Sequence, residues 1–429
     1  MNPRIVISAN ATLDEVYAAN ELRATFAEYQ GATVEIVTDD AVASNEDIYV
    51  GKTAYSENVP TGNEYSVTTS GTCVYVSAGS AYGFEAAVAA VREQLATNGC
   101  LVSGLELHGN GDALQTCNQK QEGQIRFLTY NVYGWTDKTH NTTPTLRQSY
   151  QLPILRSYDA DILAFQEFSN DNVEKGVTRY RSEPFLNGLT ELGYAEVGEG
   201  TLLNTDGANF TPLFYKKDVL AVEDCGYLLY SGYNDVNSKS VTWAVFSVKE
   251  TGEKFIAMST HFMWNDNTGA LVTRTEDMTD EVYKDLVDQE ADALRQQNAG
   301  ELLTLLSEIR EEHGELGVVI GGDLNTSFAR MRHIPLTTLE NGGLTWAQEG
   351  ANELGCAVNS VNGHGAYAMW DGEAKLFTSY ATHVDKDATY SIDHVWYNGV
   401  SIKLFATVTD RYACFSSDHN PKIMDFSLS

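Results

Sequence analysis

Apolar residues recur at two periods along this chain, and the places where the period changes outline its elements. In the first hundred residues short β-rich runs alternate with two helical stretches. Ile5–Ser8 reads as a strand. Asp14 then offers an N-cap, and Val16, Ala19, Leu22, Phe26 and Tyr29 recur at helical spacing until Gly31 supplies a stop. One face of that helix is expected in a core. Val34–Val37, Ile48–Val50, Tyr65–Thr68 and Cys73–Ser77 are strand candidates, the last two joined by a Ser70-Gly71 turn. A second helix spans about Tyr82 to Thr97 and ends at Asn98-Gly99. Gly109–Gly123 is rich in Gly, Asn, Gln and Asp, lacks periodicity and reads as a linker between residues 1–108 and residues 124–429.

Beyond the linker, apolar runs of mostly strand length are bounded by turns: Ile125–Asn131, Ile162–Gln166, Pro212–Tyr215, Val241–Val248, Phe255–Thr260, Val318–Gly322, Ile392–Tyr397 and Pro421–Leu428. Helical spacing returns from about Glu281 to Glu312, where Leu294, Leu302, Leu305, Leu306 and Ile309 mark a buried stripe. Many strands interrupted by a few long helices predict an α+β sandwich of two packed sheets.

Composition then narrows the function classes. The chain has 429 residues, 43% of them hydrophobic, which is ample for packed cores in two or three domains. No apolar stretch reaches the length of about 18 residues that a membrane span needs, and Met1-Asn2-Pro3-Arg4 leads straight into a strand with no apolar leader. The expected location is secreted or at the surface of a bacterial cell, with a leader already removed; the alternative is the cytoplasm. Lys+Arg 28 against Asp+Glu 59 gives a net charge of −31, which repels polyanions and makes nucleic acid an unfavoured partner. Divalent cations are favoured. Cys73, Cys100, Cys117, Cys225, Cys356 and Cys414 show no metal spacing. Their even number permits disulfides, for example Cys100 with Cys117.

Several strand ends of the second domain carry residues able to hold a cation or a phosphate. They are Thr129-Tyr130-Asn131, Ala164-Phe165-Gln166-Glu167, Ser259-Thr260-His261, Gly321-Gly322-Asp323-Leu324-Asn325, Ser391-Ile392-Asp393-His394 and Ser416-Ser417-Asp418-His419-Asn420-Pro421. Taken singly, each has a bland reading. Glu167 alone is a solvated strand end, Gly-Asp-x-Asn an ordinary turn and His261 a structural histidine. Turn chemistry at random would not set these types in this order after six apolar runs.

In that order they resemble the endonuclease/exonuclease/phosphatase superfamily, the DNase I-like fold shared by apurinic endonucleases, inositol polyphosphate phosphatases and bacterial sphingomyelinases. The resemblance covers about Gln124 to Ser429. It implies a four-layer sandwich, two mainly antiparallel sheets between flanking helices, with the site at one mouth. It also implies a cofactor, Mg²⁺ or Mn²⁺, with Glu167 as main ligand helped by Asn131 and Asp418. Asp323 would then orient or deprotonate the attacking water, and Asn325 would donate to the phosphoryl oxygens. His419, paired with Asp393, and His261 would contact the phosphate or shuttle protons. In the first domain, Asp47-Ile48-Tyr49-Val50-Gly51-Lys52 and Gly79-Ser80-Ala81-Tyr82-Gly83 resemble the non-catalytic domain preceding the barrels of hexosaminidases and glucuronidases. That domain is expected to be catalytically silent.

One departure bears on substrate. Apurinic endonucleases carry an Asp two residues after the first-strand Asn, and here that position is Tyr133. Tyr133-Gly134-Trp135 and His261-Phe262-Met263-Trp264 place aromatics near the expected site, as pocket walls or as packing. Asn325-Thr326-Ser327 has the N-glycosylation pattern, and a glycan there would block the site, which argues for a bacterial source. The expected function is hydrolysis of a small or carbohydrate-linked phosphoester. The alternatives are a secreted DNase I-like endonuclease and a non-catalytic, carbohydrate-associated binding protein. The nuclease lacks a basic stripe, because 28 Lys and Arg are scattered over 429 residues.

Overall fold

The computed structural model describes the chain except residues 1–2, 10, 32–33, 42, 57–58, 112–119, 121, 135–143, 169–182, 206, 232–238, 265–271, 330–332, 356–358, 362–369, 372–375, 378–387, 409–412, 414–415 and 429. Trp135, Cys117, Cys356, Cys414 and most of the linker therefore lie outside the described residues. The chain divides into two compact units, Met1–Leu114 with Ala368–Tyr380, and Gln115–Tyr367 with Ala381–Ser429. Cys73, Cys100 and Cys225 are free thiols.

The first unit contains β1 (Arg4–Ile7), α1 (Leu13–Gln30), β2 (Glu35–Thr38), β3 (Ile48–Val50), β4 (Glu64–Ser70), β5 (Cys73–Ala78), α2 (Ala81–Asn98) and β6 (Glu106–Asn110). Strand β6 includes Gly109 and Asn110, which composition placed in the linker. The strands form one sheet in the order β2-β1-β3-β5-β4-β6. Alternation sends Ile5, Ile7, Ile48, Val50, Val67, Val74 and Val76 into a single core with Val16, Leu22, Phe26, Val88 and Val91 of the helices. The first helix begins differently from the sequence reading. Thr12, not Asp14, is the N-cap: its hydroxyl accepts from Glu15 N–H and the Glu15 carboxylate accepts from Thr12 N–H. This reciprocal capping box satisfies two amides that a cap at Asp14 would leave open. The same carboxylate accepts from Lys52 N–H at 2.8 Å. Gly51, at φ +73°, must be glycine there, since a Cβ would sit 2.0 Å from Glu15 Oε1.

The second unit runs β7 (Ile125–Asn131), α3 (Pro144–Tyr158), β8 (Ile162–Gln166), α4 (Glu183–Glu191), β9 (Tyr194–Glu196), β10 (Leu213–Lys216), β11 (Leu220–Leu229), β12 (Ser240–Val248), β13 (Lys254–His261), α5 (Asp280–His313), β14 (Gly317–Asp323), α6 (Ile334–Asn341), β15 (Thr345–Trp346), α7 (Ala347–Gly350) and β16 (Glu353–Gly355). After the short β17 (Trp370–Asp371) and β18 (Leu376–Phe377) of the first unit come β19 (Asp393–Asn398), β20 (Val400–Thr407) and β21 (Lys422–Leu428). One sheet has the order β16-β20-β21-β7-β8-β10-β9 and the other β11-β12-β13-β14-β19-β15. Phe127, Ile162, Ala164, Phe246, Phe255, Val319, Met424 and Phe426 fill the space between them. Leu302, Leu306 and Ile309 of α5 and Leu336 and Leu339 of α6 cover the outer face of the second sheet. Phe165, Phe168, Phe185 and Phe214 pack ring on ring where α4 meets the first sheet. This is the expected α+β sandwich.

Three features of this framework build the site. Each sheet has a parallel pair near its centre, β7 with β8 and β13 with β14, so the carboxyl ends of four strands emerge at one mouth. Asn131 is registered with Gln166, and His261 with Asp323. Antiparallel β19 begins at the same mouth, with Asp393 opposite Asp323. The sheets also approach closely here because Gly321 has no side chain: a Cβ would lie 2.4 Å from the Phe127 ring and 2.8 Å from Thr129 Cβ. Beneath the mouth, the Gln166 amide donates to Thr129 Oγ1 and Ser259 Oγ, both at 3.1 Å, and Ser259 donates to Phe165 O. A buried polar seam thus fixes one sheet against the other.

Candidate active site

Asn131 joins the two sheets chemically. Its side-chain oxygen accepts Tyr133 N–H at 3.0 Å, and a backbone N–H can only donate, so the amide orientation is set. The amide nitrogen therefore faces two carboxylates, donating to Glu167 Oε1 at 3.2 Å and Asp323 Oδ2 at 3.0 Å. Asp323 Oδ1 accepts Asn325 N–H at 2.8 Å. Tyr133, Glu167 and Asn325 all have left-handed backbone, at φ 60°, 54° and 52°. Such conformations cost about 1–3 kcal/mol for non-glycine residues and persist where the surroundings enforce them. Here each turns the chain sharply just past a strand end.

His261 is buried, and two donors converge on its Nε2: Lys239 Nζ at 2.6 Å and Asn325 Nδ2 at 3.1 Å. Asn325 Nδ2 also donates to Phe262 O, which fixes that amide. Nε2 is thus the acceptor in both bonds, and Lys239 Nζ also lies 3.2 Å from Nδ1. Burial, and then the Lys239 ammonium, hold the imidazole well below its ordinary pKa. It is neutral. On the other side of Asp323, His419 Nδ1 lies 2.7 Å from Asp393 Oδ2, the predicted dyad. Burial opposes charge on His419, but Asp393 and Asp418 outweigh it and hold the imidazolium well above its ordinary pKa. Two histidines a few ångströms from one carboxylate thus have opposite charge states, set by a lysine beside one and an aspartate beside the other.

All the sequence-predicted site residues converge. Glu167, His261 and Asp323 offer ligand atoms within 4.8 Å of one another, and so do Asp323, Asp393 and His419. Burial pushes Asp323 up to about 7, with Asp393 adding to the rise. Asp418 rises to about 6 from burial, with Glu167 contributing, and its buried Oδ1 has no hydrogen-bond partner. Crowded carboxylate oxygens of this kind suit a hard divalent cation. Asn131 supplies its amide nitrogen, not its oxygen, to this cluster. The aromatics separate into two groups: Phe262 is buried, while Trp264 is half exposed and Tyr133 lies under the Arg147 guanidinium. The Asn325 amide nitrogen, where a glycan would attach, is already engaged.

Lys239 was not anticipated from the sequence. It immediately precedes β12, whose antiparallel pairing with β13 sets Val241 opposite Thr260, so the lysine arrives beside His261. Burial lowers its pKa to about 8. The signal was a single cation between two serines at the start of an apolar run, which reads as a solvated loop.

The profile of the Endonuclease/Exonuclease/phosphatase family matches residues 128–419, well over half of the chain. The chain belongs to this family. Its members are hydrolases acting on phosphoesters, generally with a divalent metal. Among solved structures, an endonuclease/exonuclease/phosphatase from Bacteroides vulgatus is similar at 22% identity and a TM-score of 0.50, over 71% of this chain and 99% of that one. A mannosyl-6-phosphatase from Bacteroides thetaiotaomicron VPI-5482 is similar at 16% identity and a TM-score of 0.50, over 71% of this chain and 100% of that one. At such identities the likeness shows the fold. No curated relative matches the sequence. Among the described residues of this family member, no helix is long and apolar enough to cross a membrane.

The histidine after Asp393 has a different task. Alternation along β19 turns His394 away from the mouth and against Phe328, Trp346 and Trp396, where Nε2 donates to Thr326 O and Nδ1 has no partner. Burial lowers its pKa to about 4. Between about 4 and 6.5 the unfolded chain takes up a proton that the folded chain refuses, so stability falls as pH drops through that window. The contribution is on the order of 3 kcal/mol. Denaturant unfolding at pH 7.5 and 5 should show a larger loss for the wild type than for His394→Asn. Equal losses would refute the assignment.

Proposed function

We propose that this chain is a divalent-metal-dependent hydrolase of small or carbohydrate-linked phosphate esters. The observation that carries the reading is the Asn131 amide, bridging Glu167 of one sheet and Asp323 of the other beside the Asp393–His419 pair. Glu167, with Asp418 and Asp323 near, would hold the Mg²⁺ or Mn²⁺, which when bound neutralises phosphoryl charge. Asp323, its carboxylate steered by Asn131 and the Asn325 amide, accepts a proton from the attacking water. With a pKa near neutrality it matches that task. The His419 imidazolium, aimed by Asp393, places positive charge and a proton at the opposite side of Asp323. His261 orients its neighbours: as a neutral acceptor it holds the Lys239 ammonium and the Asn325 amide at the mouth. Lys239 then adds a fixed positive charge for a phosphoryl oxygen, which favours ester oxygens carrying more negative charge.

The mannose-linked substrate of the B. thetaiotaomicron relative and the aromatic side chain of Tyr133 support an organic, sugar-like leaving group. The acidity of the chain argues against polyanions, since tight nucleic-acid binding needs a basic footprint. The test is a panel of nitrophenyl phosphates, sugar phosphates, inositol phosphates, sphingomyelin and plasmid DNA, each assayed with Mg²⁺, Mn²⁺ and EDTA. Turnover of a small ester that EDTA abolishes is expected. Plasmid cleavage at nanomolar enzyme in physiological salt, with every small ester inert, would overturn the substrate class.

A further inference from the structure

The helices of the first unit pack on one face of its sheet, and the other face carries a separate chemistry. Register places Tyr49 beside Tyr75 and Tyr75 beside Thr68, a row across β3, β5 and β4. Two residues along the strands, Ser77, Ser66 and His108 form a second row across β5, β4 and β6. The Tyr49 and Tyr75 rings stack at 5.2 Å, and Tyr55, from the turn after β3, leans on Tyr49 at 5.4 Å. Tyr55 is 41% exposed. Tyr55, Tyr75, Thr68, Ser66, Ser77 and His108 line a groove of about 1130 Å³ whose described walls come from the first unit alone, with Tyr49 buried behind them.

The geometry points to a binding site for a neutral oligosaccharide in this groove. Sugar rings present an apolar C–H face and a rim of hydroxyls. The groove presents their complement: the Tyr55 and Tyr75 side chains on one side and Ser66, Ser77 and His108 along the other, with Tyr75 and Ser77 at the strand spacing of about 6.7 Å for two residues. Its volume exceeds the roughly 300–1,000 Å³ of ordinary small-ligand pockets, which suits several linked hexoses. Among the described residues no Lys or Arg lines it, and Glu64 is the one carboxylate that does. An anionic ligand would therefore find no counter-charge on a chain of net charge −31. A peptide would seek the free backbone of edge strand β6, whereas Tyr75, Ser77, Ser66 and Thr68 lie on the face of β5 and β4, which are interior to the sheet. The site is independent of the phosphoester chemistry, which uses none of these residues.

The test is calorimetric titration of the full chain with neutral hexasaccharides: manno-, xylo-, cello-, malto- and chitohexaose. At least one should bind. Tyr75→Ala and Tyr55→Ala should each weaken it by about tenfold or more, the value of a lost aromatic stack. Tyr55 is exposed on a turn, so its variant tests the site even where Tyr75→Ala fails to fold. Small-ester turnover should be unchanged in Tyr55→Ala, and Glu167→Gln should bind the saccharide as the wild type does. Absence of binding by all five sugars, or binding that survives Tyr55→Ala in the folded protein, would overturn the proposal. Binding lost in Glu167→Gln would place the saccharide in the catalytic unit and overturn it equally.

Discussion

Glu167→Gln is expected to keep the fold and lower metal-dependent turnover by at least about 10³-fold, some 4 kcal/mol of transition-state stabilisation. The substitution is nearly isosteric. A glutamine oxygen still accepts from Asn131 Nδ2, now at 3.2 Å, and the left-handed backbone at φ 54° treats both side chains alike. What disappears is the charge. The remaining neighbours are poor substitutes, because burial already pushes Asp323 to about 7 and Asp418 to about 6. Turnover within a few-fold of wild type, or wild-type turnover indifferent to EDTA, would remove Glu167 from the metal site. Circular dichroism separates that result from misfolding.

Asp393→Asn should lower turnover by about 10²–10⁴-fold while the protein stays folded. His419 is buried, and burial alone drives an imidazole toward neutrality; its charge rests on the carboxylate 2.7 Å from Nδ1 and on Asp418. An asparagine keeps the shape and removes the larger attraction. The pH dependence carries the diagnostic sign. In the wild type His419 stays protonated well above its ordinary range, so activity that needs the imidazolium declines only on the alkaline side. In the variant that alkaline limb should move toward neutral pH. At the same time Asp323 loses a repulsive neighbour, and the acid limb should move down. A uniform fall in turnover with an unshifted profile would show that Asp393 acts only on structure. Little change in turnover would remove the dyad from the mechanism.

Residues whose chemistry repeats a local signal were legible from the sequence, and residues whose role is set by a distant neighbour were not. Strands β7 and β8 match the apolar runs Ile125–Asn131 and Ile162–Gln166 to the residue, because both are buried on two faces and read as continuous runs. Strand β11 was invisible. Its ten residues include Glu223, Asp224 and Gly226, they are mostly half-buried, and a bulge between Val222 and Asp224 breaks the alternation. Helix α3 was also missed, since Pro153 inside it reads as a breaker. In the site, carboxylates and histidines at strand ends announced themselves by type and order. Lys239 did not, since only the pairing of β12 with β13 brings it to His261. The charge states of the two histidines were equally hidden, because they depend on which ion stands next to each ring and not on the rings.

The pairing of Arg126 with Asp425 joins positions 299 residues apart, with Nε to Oδ1 at 2.6 Å and Nη2 to Oδ2 at 2.7 Å, both side chains buried. Strand β21, which carries Asp425, follows every other strand in the sequence yet lies inside its sheet, between β20 and β7. During synthesis β7 leaves the ribosome early and waits for the partner that satisfies its buried guanidinium. His419 leaves the ribosome just before that partner. The second unit is therefore expected to close only after translation has passed the strand that completes its middle. Contacts of such long sequence separation also make folding slow. A chain interrupted between Asp323 and His419 would carry Glu167 and Asp323 but neither His419 nor the strand that completes the middle of the sheet.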